Sequence, residues 1–189
     1  MDYCPTMQII IFEGIASSGK TTLEKLLFEK LPKAKIVNEN ITLMKLIDNQ
    51  DKDVALGHLK NLLLELRDEK VENLIIDRFH LTHAFRTRST LKVFSEIEDE
   101  LLSIGGVHLI LLTIDEAKVR ERIEETMERR KDKWKKGAKG SIEERVAYYT
   151  DQQKKLLDLV GETSLPALTI DTTDKEWERY INQIETAIK

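Results

Sequence analysis

Eight residues, Gly14-Ile15-Ala16-Ser17-Ser18-Gly19-Lys20-Thr21, satisfy the pattern G-x-x-x-x-G-K-[ST] at every fixed position. Glycines at those places let a backbone fold around an anion with its N–H groups turned inward. A helix beginning at Lys20 would add the positive end of its dipole. Lys20 would then reach the β and γ phosphates of a nucleotide, and the Thr21 hydroxyl would ligate Mg2+. Ala16, Ser17, Ser18 and Thr22 complete the candidate nucleotide-binding set with Gly14 and Gly19. The alternative is a plain glycine/serine turn. Four fixed positions coincide by chance in roughly one chain in 200 of this size. Here the pattern also follows an apolar run and precedes LEKLLFEKL, the strand-loop-helix context it requires.

Two further constellations carry chemistry. Asn73-Leu74-Ile75-Ile76-Asp77-Arg78 places an acid and an arginine at the end of an apolar run. Ligands of open α/β sheets bind at the carboxyl ends of the strands, so Asp77 is a candidate for Mg2+ and Arg78 for gripping a phosphate with its planar fork of donors. A structural Asp–Arg pair is the alternative. Glu39 stands at the end of the second predicted strand, on the same edge as the phosphate loop. It would be the general base if the acceptor is a hydroxyl, would only position an acceptor that is already a phosphate, and is otherwise a solvated loop acid. A basic stretch runs from Arg120 and Arg122 through Arg129, Arg130, Lys131, Lys133, Lys135, Lys136 and Lys139. Phosphoryl transfer is helped mainly by positioning and positive charge, which nominates Arg129 and Arg130 as lid residues over a nucleotide and Gly137 and Gly140 as hinges. A solvated helix end is the alternative, and the better one for the lysines.

The elements that must hold these residues follow from periodicity. Met7–Phe12, Ala34–Glu39, Asn73–Asp77, Val107–Asp115 and Pro166–Asp171 read as strands. Between them, Lys20–Leu31, Val54–Val71, Leu81–Thr87, Leu91–Ile104, 116–130, Ser141–Val160 and Lys175–Ile188 read as helices. Gly105-Gly106 should stop the fourth of these, and Ser141 with Glu144 matches a capping box. Apolar strands alternating with helices imply a parallel sheet covered on both faces. The fold class is therefore α/β, a three-layer arrangement of a five-stranded parallel sheet in one domain over residues 1–189, with a basic lid at about 129–140.

Bulk properties narrow the classes. The chain of 189 residues carries a net charge of −4, which argues against nucleic acid or an anionic membrane as the main partner. Its one cysteine, Cys4, permits no internal disulfide and fits a reducing compartment. MDYCPT lacks the pattern of a signal peptide, and no apolar run is long enough to span a bilayer. The expectation is a soluble cytoplasmic protein, with homodimerisation left open. No Asn-Lys-x-Asp guanine reader accompanies the loop, and Asp158 to Gly161, the lone D-x-x-G, falls in a predicted helix. His80 and His83 share a predicted helix face without further metal ligands nearby. Phe79, Phe85 and Arg86 either line an acceptor pocket or pack, and Tyr148, Tyr149, Trp177 and Tyr180 read as packing.

Phe12-Glu13-Gly14 through Thr22-Leu23, Asp77-Arg78-Phe79, and Thr113-Ile114-Asp115 through Arg122 resemble thymidylate kinases and the related deoxynucleoside kinases. The resemblance implies a five-stranded parallel sheet ringed by helices, and a basic lid over ATP. It implies Lys20 and Thr21 on ATP and Mg2+, Asp77 near the metal, and Arg78 at the acceptor end. Ala16, Ser17 and Ser18 stand where thymidylate kinases carry an acidic or arginine residue, and Val37-Asn38-Glu39-Asn40 lacks the proline of both groups. Asp-Arg-Phe is nearer to thymidylate kinases than to the Glu-Arg-Ser of deoxynucleoside kinases. The expected function is ATP- and Mg2+-dependent transfer to a small acceptor, a nucleoside monophosphate first. A nucleoside or other hydroxyl compound, or a P-loop ATPase or regulatory module without a small acceptor, are the alternatives.

Overall fold

The computed structural model describes residues 7–43, 50–129 and 140–189. Cys4, Arg130, Gly137 and nearly all of the expected lid lie outside them. Strand β1 (Met7–Gly14) is the middle of the sheet, flanked by β3 (Asn73–Asp77) and β4 (Gly105–Thr113). β2 (Ala34–Val37) adds beyond β3 and β5 (Ala167–Asp171) beyond β4, giving the order β2-β3-β1-β4-β5 with every pairing parallel.

The two-residue period of β1 divides the core. Ile9 and Ile11 join Leu59, Leu63, Ile97 and Leu101 on one face. These come from helices α3 (Lys52–Arg67) and α5 (Ser95–Ile104), with the short α2 (Glu39–Leu43) and α4 (His80–Thr87) between β2 and α5 in the chain. Ile10 and Phe12 join Leu23, Leu27, Tyr180 and Ile184 on the other face, from α1 (Lys20–Lys30) and α8 (Trp177–Ala187). α6 (Val119–Arg129) and α7 (Ile142–Glu162) pack on each other beside the carboxyl ends of the strands. Ser141 and Glu144 form both arms of the expected capping box, at 3.2 and 2.7 Å. Asp158 and Gly161 lie within α7, so the D-x-x-G there is not a phosphate-binding loop.

Gly105 stops α5 as expected, by extended backbone at φ −176° and not by a left-handed turn, and it opens β4; three other expectations need correction. A Cβ on Gly105 would stand 2.0 Å from the Met7 carbonyl oxygen, so close strand approach explains the glycine. The stretch Leu91–Ile104 is split into a 3₁₀ turn, Leu91–Phe94, and α5. The stretch after β4 also begins as a 3₁₀ turn, Glu116–Lys118, capped by Asp115 accepting from the Ala117 N–H at 2.9 Å, before α6. Finally, β2 stops at Val37. The Asn38 side chain accepts from the Asn40 N–H at 3.1 Å, which ends the strand and starts α2, so Glu39 is a helical residue.

One buried polar network ties helices to the sheet edge. Glu98 accepts from His80 Nε2 at 3.0 Å, Thr163 Oγ1 at 2.5 Å, and the Ser164 N–H and Oγ at 3.0 and 2.7 Å. Burial alone would raise the Glu98 carboxyl, but these donors outweigh it and hold it down at about 2. The folded chain then binds fewer protons than the unfolded chain between that value and the ordinary 4.5. The stability contributed is complete above the ordinary value and is lost as pH falls toward the folded one. Glu98→Gln is expected to destabilise the protein at pH 7 and to differ less from wild type at pH 3, as read by urea unfolding at both pH values.

Candidate active site

The loop after β1 is shaped by three residues in left-handed backbone. Gly14 (φ 142°), Ser17 (φ 70°) and Gly19 (φ 95°) turn the chain back on itself. A Cβ on Gly19 would lie 2.5 Å from the Trp177 ring, so the loop needs glycine there for space as well as for φ. Side chains from distant segments hold the loop's carbonyl side. Arg122 donates to the Ser17 carbonyl at 3.0 Å, and Thr172 Oγ1 donates to the Ser18 carbonyl at 2.8 Å. Arg122 also lies over the Trp177 ring, 5.7 Å from its centroid. Ser17 Oγ and Ser18 Oγ are buried without a hydrogen-bond partner. Lys20 is 6 % exposed and folds back onto the loop, donating to the carbonyls of Gly14 at 3.0 Å and Ile15 at 3.1 Å. Burial and the neighbouring Arg78 charge lower its ammonium to about 8, an environment that favours an incoming anion.

The Asp77-Arg78-Phe79 turn is held from β1. Arg78 takes φ 62° and its N–H donates to the Phe12 carbonyl at 2.8 Å. The fully buried Glu13 accepts from the Phe79 N–H at 2.8 Å, the Thr82 N–H at 3.1 Å and Thr82 Oγ1 at 2.5 Å. The first N–H groups of a helix lack internal partners, and Phe79 offers none; Glu13 supplies from another element the cap that α4 lacks. Asp77 and Arg78 do not pair with each other in a capping bridge. Arg78 Nε donates instead to Glu39 Oε2 at 3.0 Å, and the Thr42 hydroxyl of α2 donates to the Asp77 carbonyl at 2.9 Å. Burial raises the Asp77 carboxyl, opposed by the Lys20 and Arg78 charges.

These pieces enclose one cavity of about 770 Å³ at the carboxyl ends of the strands, within the ~300–1,000 Å³ of small-molecule sites. Ala16, Ser17, Gly19, Lys20, Thr21 and Thr22 line it, with Glu39, Asp77, Arg78 and Arg129. Gly14 and Ser18, named with them from sequence, shape the loop from beneath and are not on its surface. Arg130 is outside the described residues. The wall also holds Arg122, named in the basic stretch, and residues the sequence reading missed or took as packing: Arg145, Tyr148, Tyr149, Gln152 and Trp177. Arg86 lines the cavity, whereas Phe79 is fully buried core and Phe85 meets Tyr148 edge-on at 5.6 Å. Arg120, grouped with the lid arginines, turns away to Glu124 and Glu143. Tyr180 packs as expected.

Glu24, also unread in the sequence, stands one turn after Lys20 and is 3 % exposed. Burial and the neighbouring Asp77 charge raise its carboxyl to about 8, and its Oε1 receives no hydrogen bond. His80 and His83 are not a metal pair: His80 donates to Glu98, and His83 Nε2 donates to the Thr42 carbonyl at 2.9 Å, with burial lowering it to about 4. Among the described residues no helix is long and apolar enough to cross a membrane.

No protein-family model matches the chain, and no curated protein sequence does. Solved structures do. The Bacillus subtilis YorR protein, determined in complex with phosphorylated GDP, aligns with a TM-score of 0.67 at 17 % identity, over 94 % of each chain. Thymidylate kinase from Candida albicans aligns at 0.58 and 17 % identity, over 97 % of this chain and 91 % of that one. Shikimate kinase from Bacteroides thetaiotaomicron aligns at 0.58 and 12 % identity, over 95 % and 96 %. With the strand order β2-β3-β1-β4-β5 and the phosphate-loop pattern directly after the central strand, these alignments establish that the chain has the P-loop kinase fold.

Proposed function

We propose that the protein transfers the γ-phosphoryl group of ATP to a small acceptor, a nucleoside monophosphate in the first instance. The observation that carries this is one cavity shared by the phosphate loop and by Arg78, Arg86 and Arg145 beside Tyr148 and Tyr149. Lys20 and the loop would hold the β and γ phosphates. Arg78 and Arg86 would grip a phosphate on the acceptor, since guanidinium forks match phosphate oxygens in pairs. Tyr148 and Tyr149 offer aromatic surface to a base. Arg129 would neutralise charge on the transferred group, and Arg122 over Trp177 would flank the nucleoside of ATP. Thymidylate kinase and YorR, the latter solved with a guanine nucleotide, are neighbours in fold and support a nucleotide acceptor by analogy alone.

The donor set suits Mg2+. The Thr21 hydroxyl and the Asp77 carboxylate are hard oxygen donors in the same cavity, and Mg2+ is commonly held by one or two such groups plus substrate phosphates. Bound there, the ion would offset the negative charge of the phosphates.

A second reading has its own observation. Glu39 lines the cavity and is hydrogen-bonded to Arg78, the placement a general base would need if the acceptor is a hydroxyl. The test is ADP release from ATP and Mg2+ across nucleosides and nucleoside monophosphates, with a no-acceptor control. Stimulation by a monophosphate supports the first reading, and stimulation by a nucleoside moves Glu39 to base. Hydrolysis at one rate with every acceptor and with none rejects both in favour of an ATPase module.

A further inference from the structure

Thr42 is fully buried where α2, β3, α3 and α4 meet. Its hydroxyl donates to the Asp77 carbonyl at 2.9 Å. Its own carbonyl accepts from two imidazoles, His58 Nε2 of α3 at 3.0 Å and His83 Nε2 of α4 at 2.9 Å. His58 Nε2 also lies 3.0 Å from the Ile41 carbonyl. A carbonyl only accepts, so both rings carry a proton on Nε2. His83 is fully buried, and its Nδ1 has no partner. A leucine would fill that space without leaving a polar atom unpaired. What the imidazole adds is an N–H aimed at Thr42.

The helix held in this way is short. α2 has five residues, so little of its stability is its own, and its last carbonyls find no partner inside it. Glu39 opens α2 one turn before Thr42 and accepts from Arg78 Nε at 3.0 Å. The Glu39 side chain is 51 % exposed, so burial does not fix the pair. We infer that His58 and His83 are positioning residues for the acceptor end of the site: by clamping Thr42 they hold α2, and through Glu39 they set the direction of the Arg78 guanidinium. The link from Arg78 to the acceptor rests on the reading proposed above. The phosphate loop is braced by Arg122 and Thr172 instead, so the donor end does not depend on the clamp.

The experiment compares the full-length wild type with His58→Leu and His58→Gln, and with His83→Leu and His83→Gln. A glutamine amide nitrogen stands at about the reach of Nε2 and keeps the donor, whereas leucine keeps only bulk. The first readout needs no substrate. It is the Arg78 Nε–H signal in a proton–nitrogen correlation spectrum, assigned with Arg78→Lys, with Glu39→Ala marking the unpaired position. The second is KM for ATP and for each of the thymidine, uridine, cytidine, adenosine and guanosine monophosphates, with the thermal midpoint on the same samples. Each leucine variant is expected to move the Arg78 signal toward its position in Glu39→Ala. It is also expected to raise KM for the accepted monophosphate about 10-fold, with KM for ATP unchanged. Each glutamine variant is expected to return both readouts to near wild type. A wild-type Arg78 signal in the leucine variants would overturn the inference even if the midpoint falls, as would glutamine variants no better than leucine. A moved signal with unchanged KM would overturn the acceptor role of the clamp. Should wild type use none of the monophosphates, the acceptor reading falls by itself, while the Arg78 signal still decides whether the histidines hold Arg78.

Discussion

Lys20→Ala is expected to lower the rate of phosphoryl transfer by about 100- to 1,000-fold, the loss that follows removal of one fixed donor aimed at developing charge. The residue is buried beside Arg78 and Asp77, and its ammonium is already lowered to about 8 by burial and by Arg78. An incoming phosphate chain restores the missing counter-charge, so the lysine gains most when the nucleotide is bound. The fold is not expected to suffer. Alanine forfeits two hydrogen bonds to the Gly14 and Ile15 carbonyls but also removes a desolvated cation. Turnover at saturating ATP, together with the thermal midpoint, checks both halves. Normal turnover would remove the phosphate-loop assignment.

Arg78→Ala is expected to lower kcat/KM for the acceptor by about 100-fold, the scale of a misplaced reacting group, while KM for ATP changes little. The variant also loses the Glu39 partner and leaves a β-carbon in left-handed backbone at φ 62°. That backbone strain costs about 1 kcal/mol for residues other than glycine. Arg78→Gly separates the two effects, since it keeps the backbone conformation and drops the guanidinium. Both variants should fail on the acceptor alike. Collapse of ATP affinity instead would move Arg78 to the donor side of the cavity.

The parts of this site that were legible in the sequence are those whose chemistry is local. Gly14 to Thr21 and Asn73 to Asp77 each announce themselves by adjacent residues, and the five apolar runs that became strands needed only their period. What was not legible depends on long-range placement. Glu13 and Glu24 look like ordinary acids in an apolar run and an amphipathic helix; Glu13 is held by the start of α4, and the Glu24 carboxyl is raised in part by the Asp77 charge, each from more than fifty residues on. Tyr148, Tyr149 and Trp177 sit at helical spacing that fits packing equally well, and only the way α7 and α8 dock turns them toward the cavity. The helix does end before Gly105 as expected, but the reason for the glycine was not legible: a glycine needed for contact with Met7 across the sheet looks the same as one needed for a turn.

The bonds that hold the phosphate loop span unusual distances along the chain, 105 residues from Ser17 to Arg122 and 154 from Ser18 to Thr172. During synthesis the loop emerges well before the two side chains that brace it. Strand β1 meets the same delay, since its partner β4 follows it by almost a hundred residues. A nascent chain stopped before residue 105 carries a central strand with one edge open and a loop without its braces. Parallel pairings of such high sequence separation form slowly. The proposed nucleotide binding would therefore be acquired late, when the β5–α8 turn closes over a loop that had left the ribosome long before.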